Sequence, residues 1–147
     1  MAETKSPWPV LAEQAQAKLT EVEAVLRVAK THLAEATSHR ERIVAMLSEY
    51  REKLNRYERQ SNLSDSVNCR QFLAQLVDLD VQAQLKVQQM QAAVDLAASR
   101  VKAARLDVEK MKKLVERETK RIASDAAKTA QRRMDEMATL RHSYKHA

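Results

Sequence analysis

The chain has 147 residues, 31% of them charged and 3% aromatic, with no glycine, two prolines and one cysteine. So few aromatics cannot fill a thick core, and a mixture rich in Ala, Glu, Lys, Leu, Arg and Gln reads instead as long helix burying a narrow seam. Without glycine there is no glycine-rich phosphate loop or dinucleotide fingerprint. No apolar run approaches the ~20 residues of a transmembrane helix or forms a signal-peptide core. A lone Cys69 excludes an internal disulfide and fits a reducing cytoplasm.

The net charge of +6 is unevenly placed: residues 99–147 hold 14 Lys/Arg against 7 Asp/Glu, whereas residues 1–98 hold 12 against 13. The whole excess sits on the C-terminal third, which is a property of partner choice and not of fold.

Met1 to Lys5 is expected to fray. Ser6-Pro7-Trp8-Pro9 then makes a stiff entry, because proline is well tolerated in a first helical turn. From there apolar positions alternate in steps of three and four through Trp8, Ala12, Ala15, Leu19, Val22, Leu26, Ala29, Leu33, Ala36, Arg40, Ile43, Leu47, Tyr50, Leu54 and Tyr57. That is the heptad pattern of a coiled coil, and Arg40 is its one polar entry. The spacing predicts a first helix over about residues 8–59.

Gln60 to Asn68 is the one stretch past Val10 where turn-favouring residues cluster. Ser, Asn and Asp side chains compete with helix for backbone N–H groups. Residues 60–68 are therefore expected to form the tip of a hairpin, with Ser64, Asp65 or Ser66 as candidate caps of a second helix over about 66–142. The heptad resumes at Cys69 and runs through Leu73, Leu76, Asp80, Ala83, Val87, Met90, Val94, Ala97, Val101, Ala104, Val108, Met111 and Val115, with Asp80 the one charged break. Cys69 falls on this seam as a small core filler. After Val115 the heptad positions are Glu118, Ile122 and Asp125, and the pattern fails.

A tip centred near residue 61 or 62 makes facing positions sum to about 123 in an antiparallel pair. Tyr50 then faces Leu73, Leu19 faces Ala104 and Trp8 faces Val115. The second seam thus stops where the first helix runs out of residues. The expected fold is an all-α, two-helix antiparallel coiled-coil hairpin, a single domain over residues 1–147. At ~1.5 Å of rise per residue, about 30 residues of the second helix would extend beyond the first. Arg40 and Asp80 fall in neighbouring layers. They are expected to act as a register pair, as polar seam residues can; the competing expectation is that both snorkel independently to water.

Beyond Val115 a different apolar row appears: Ile122, Ala126, Ala130, Met134, Met137 and Leu140. It has lost its partner within the chain, so it is either a surface for another molecule or a frayed or self-associating tail. Near the tip, Ile43, Met46, Leu47, Tyr50 and Tyr57 approach Phe72, Leu73, Leu76 and Leu79. Met46, Phe72 and Leu79 lie beside the seam and should be partly exposed. This is either a docking surface or a wider core at the turn.

Other constellations are weak. His142 and His146 are spaced i,i+4, but no Cys or carboxylate completes a metal site. The basic C-terminal segment interleaves acids at helix-pair spacing, Glu109 with Lys113 and Glu116 with Lys120, and carries no aromatic platform, so nucleic acid is not expected. A row of mostly Ala and Met is a poor membrane-surface helix. No catalytic or cofactor motif is present, and the chain reads as non-enzymatic.

Glu49-Tyr50-Arg51 with Leu54, a polar tip, then Gln71-Phe72-Leu73 with Leu76, resembles the FliJ family of flagellar export proteins. Arg133-Met134-Asp135-Glu136 with Ala138 resembles the end of sequences in that family, and the length and tip placement also match. The resemblance implies a stalk similar to that of rotary ATPases. It would insert into and promote the hexameric ring of the export ATPase FliI, contact the export gate protein FlhA, and handle export chaperones of late substrates. By that resemblance the gate-facing patch is His39, Ile43, Met46, Tyr50, Phe72, Leu76 and Leu79. The ring contact is expected on the overhang, at Arg117, Arg121, Ile122, Ala126, Ala130, Arg132, Arg133, Met134 and Met137, with Trp8 beside it. It would be cytoplasmic, attached to the membrane only through partners, and without a cofactor. The alternatives are the stalk of a virulence type III secretion system or a generic coiled-coil scaffold or adaptor.

Overall fold

The heptads specify two amphipathic helices, and a computed structural model contains two, α1 (Trp8–Arg59, 52 residues) and α2 (Leu63–Lys145, 83 residues). The structure describes residues 6–145; the segment expected to fray, Met1–Lys5, and His146 of the histidine pair lie outside the described residues. The two helices pack against each other as an all-α hairpin, and among the described residues there is no strand. Every seam position named above, in both helices, is buried or half-buried, including Arg40 and Asp80.

The turn is shorter than the sequence suggests. It occupies Gln60, Ser61 and Asn62 alone, and α2 begins at Leu63, not near residue 66. The physical reason is that Asn62 serves both helices. Its N–H donates to the Tyr57 carbonyl (3.0 Å), while the Ser61 N–H donates to the Glu58 carbonyl (3.2 Å). These two bonds close the last turn of α1 as a Schellman motif. The motif needs a left-handed residue, and Ser61 supplies it at φ 57°, in a chain with no glycine to take the position. Holding a residue with a Cβ there costs about 1 kcal/mol or more.

Asn62 then starts α2. Its side-chain Oδ1 accepts from the Asp65 N–H (3.3 Å), its Nδ2 donates to Asp65 Oδ2 (2.6 Å), and its carbonyl accepts from the Ser66 N–H (3.0 Å). The bond from the Asp65 N–H makes Asn62 the N-cap, and the Asp65 carboxylate holds the Asn62 side-chain amide, because the Asn62 backbone N–H is already given to Tyr57. The expected caps Ser64, Asp65 and Ser66 are all inside the helix. Ser66 is buried, and its hydroxyl donates to the Asn62 carbonyl (2.7 Å).

By compactness the chain divides into two units, each crossed by both helices: Thr20–Ala103, which contains the turn, and Met1–Leu19 with Ala104–Ala147. In the turn unit the core is Ile43, Leu47, Leu76 and Ala83, with Tyr50, Phe72 and Leu73 packed against it. Cys69 is buried, and its thiol donates to the Tyr50 carbonyl (3.3 Å). Arg70 Nη2 reaches Glu58 Oε1 across the helices (2.6 Å). In the terminal unit the buried residues are Leu19, Ala104 and Val108.

Candidate functional site

Two surfaces follow from this construction, one in each unit. In the turn unit the heptad places Ile43 and Leu76 in the seam, where they are 5% and 2% exposed. Side chains that far inside support the surface from beneath. Of the seven residues expected to face a partner, His39, Met46 and Leu79 are exposed, while Tyr50 and Phe72 are half-buried. The Tyr50 and Phe72 rings lie 4.5 Å apart, tilted by 52°. Lys53 Nζ sits 4.5 Å above the Tyr50 ring, a cation–π contact that fixes the outer edge of this aromatic pair. Tyr50, Lys53, Tyr57, Asn68 and Phe72 line a shallow depression beside it. Here three of the chain's five aromatic residues converge.

Arg40 and Asp80 meet in the same unit, with Nε 3.4 Å from Oδ1. Their side chains keep 38% and 24% of their exposure, so the pair is partly wet. The contact is the one expected from the register.

The terminal unit ends its seam in a polar clasp that sequence reasoning passed over. Glu118 occupies the heptad position after Val115 and is half-buried. Its carboxylate accepts the Ser6 hydroxyl proton, and its other oxygen lies 3.9 Å from Arg121 Nη2. Ser6 Oγ in turn accepts from the Trp8 N–H (3.2 Å). The first turn of α1 contains no acidic residue. Glu118 therefore brings, from the other helix, the negative charge that a helix N-terminus favours. The facing sum of 123 that aligns Trp8 with Val115 leaves Glu118 one residue out of step with Ser6, so the register brings the two near each other without pairing them. The contact was hidden because a Glu at a heptad position reads as the seam's failure.

Trp8, Leu114, Arg117, Glu118 and Arg121 line a second depression. Trp8 is half-buried there, and Arg117 and Arg121 are exposed. From Thr119 to Lys145 every residue is helical and exposed. That segment contains Ile122, Ala126, Ala130, Arg132, Arg133, Met134 and Met137 of the expected ring contact. It carries seven Lys/Arg against three Asp/Glu. Its helix is supported locally, by Gln131 on Asp135 (3.1 Å) and by Thr129 and Thr139 hydroxyls on the carbonyls one turn back (2.9 Å each).

Among the described residues no group of three or more His, Cys, Asp or Glu could hold a metal, and no helix is long and apolar enough to cross a membrane. No curated protein and no solved structure matches the chain. Residues 6–146 match the family described as Flagellar FliJ protein. The match spans the clasp, both seams, the turn and the whole exposed segment. The chain belongs to the FliJ family, and so to flagellar type III protein export.

Proposed function

We propose that this protein is the non-enzymatic stalk of the flagellar export ATPase. The exposed helix beyond the clasp enters the FliI ring and promotes its assembly. The surface around Met46, Tyr50, Phe72 and Leu79 docks on the export gate protein FlhA, and the same chain escorts export chaperones. It works in the cytoplasm and reaches the membrane only through these partners.

The observation that carries this reading is the exposed segment, residues 119–145. A helix that keeps an apolar row in water, with none of it buried against its own chain, needs another molecule to cover that row. Ile122 and Leu140 are 58% and 60% exposed. They are eighteen residues apart, about five helical turns, so they return to the same face. Arg132, Arg133, Lys128 and Lys120 give that helix a positive field, which an acidic lumen would attract at long range.

The test is deletion of residues 119–147, which keeps Glu118 and the clasp. The truncated protein is expected to retain the melting temperature of the hairpin and to lose stimulation of ATP hydrolysis by FliI. Reversing Arg132 and Arg133 to Glu is expected to slow association most at low salt, where screening is weakest. A truncated protein that stimulates hydrolysis with the wild-type concentration dependence would put the ring contact elsewhere.

A further inference from the structure

The basic residues of the terminal unit are not scattered around α2. At about 100° of rotation per residue, Lys110, Lys113, Arg117, Lys120, Lys128 and Arg132 all point within about 60° of one direction. Between Lys110 and Arg132 no Asp or Glu points that way; Asp135 is the first. All six cations are exposed. The i,i+4 pairs expected of Glu109 with Lys113 and of Glu116 with Lys120 do not form, and among the described residues none of the six makes an ion pair. The ridge is an unopposed column of positive charge about 33 Å long. Like charges three and four residues apart weaken the helix that carries them, and an acidic neighbour removes that cost.

The ridge and the apolar row lie on opposite sides of one helix. Ile122, Ala126, Ala130, Met137 and Leu140 point within about 40° of the direction opposite to the ridge. A bilayer surface or a groove covers one side of a helix, and nucleic acid offers no apolar wall to Ile122 or Leu140. Over residues 120–132 only a protein that encloses the helix covers both sides. On the hairpin side of the clasp there is no apolar row to cover, because Met111 and Val115 are in the seam. The ridge continues there through Arg117, Lys113 and Lys110. We propose that the acidic surface of the enclosing partner reaches past the clasp and docks on the outside of the packed hairpin, at Lys110, Lys113 and Arg117. Insertion then does not stop where the exposed segment begins; it runs on for about 12 Å, from Glu118 to Lys110. This rests on the ring reading of residues 119–145 and adds to it an acidic collar at the mouth of the lumen.

The test is binding of the full-length chain to assembled FliI rings, followed by fluorescence anisotropy at several salt concentrations. Lys110→Glu with Lys113→Glu is expected to weaken binding about tenfold at low salt, and less as salt rises. The control is Arg105→Glu with Lys112→Glu. It changes the net charge equally on the same exposed stretch, but those side chains point about 120° or more away from the ridge. Its affinity should stay within about twofold of wild type. The neutral pair Lys110→Gln with Lys113→Gln should give a smaller loss in the same direction as the reversal. All three doubles should melt with wild type, since the four side chains are exposed. If the two reversed doubles bind alike while deletion of residues 119–147 abolishes binding, net charge alone is read; the collar is overturned and the ring reading stands. If the truncated chain still binds, both fall. Capture of wild type, but not of Lys110→Glu with Lys113→Glu, on anionic vesicles or duplex DNA, with FliI binding equal in the two, gives the ridge to phosphate and also overturns the proposal.

Discussion

Residues 104–118 and 119–145 belong to one continuous helix and draw on the same residue types, yet one is packed and the other bare. In the first, Ala104, Val108, Met111 and Val115 recur in steps of three and four, and all are buried or half-buried. In the second, Ile122, Ala126, Ala130 and Met134 recur in steps of four, and all are exposed. Steps of four drift about 40° around the helix each time, so such a row cannot stay against one straight neighbour. The contrast shows that apolar content alone does not make a seam; its period does. It also shows where the change occurs. Glu118 closes the packed part by reaching back to Ser6 at the start of α1, and from Thr119 to Lys145 no residue is covered.

The comparison breaks most visibly through truncations on either side of it. Leu76→Ala removes a side chain that is 2% exposed and should destabilise the hairpin by about 2–5 kcal/mol in urea unfolding. Met134→Ala, in the bare segment, should stay within about 0.5 kcal/mol. Equal costs would mean that the bare row is buried in solution.

The boundary itself is sharpened by Glu118→Gln. Losing the carboxylate that accepts the Ser6 hydroxyl and faces the α1 N-terminus should cost about 1 kcal/mol. The loss should be local, seen as faster hydrogen exchange at Val10 and Leu11 with exchange around Leu76 unchanged. Protection unchanged at both places would mean that the clasp adds nothing.

The smallest effect is expected at Arg40 and Asp80, the one charged pair inside the seam. A double-mutant cycle to Ala should give a coupling of about 0.2–1 kcal/mol, as for other partly exposed ion pairs. The pair's proposed role is alignment, because a slipped register would leave each charge against an apolar layer. Coupling near zero would mean that the two side chains reach water separately and that apolar packing alone sets the register.

The sequence by itself determined the two helices, the side each one buries and the place where burial stops. These follow from residue spacing, and helical period is a local property that any window of the chain displays. The facing register came with them, because an antiparallel pair joined by a short turn has one free parameter. Tertiary structure decided what depends on two segments meeting. Asn62 was chosen over Ser64, Asp65 and Ser66 as the cap because its N–H also had to close α1 through Tyr57, a demand that no reading of α2 alone contains. Glu118 became part of the fold, and not its end, because the Ser6 hydroxyl and the N-terminus of α1 were brought to it. Ile43 and Leu76 went into the seam because the opposite helix covers them, leaving Met46 and Leu79 in water. In each case the residue type was ambiguous along the chain, and the hydrogen-bond partner or covering surface came from across it.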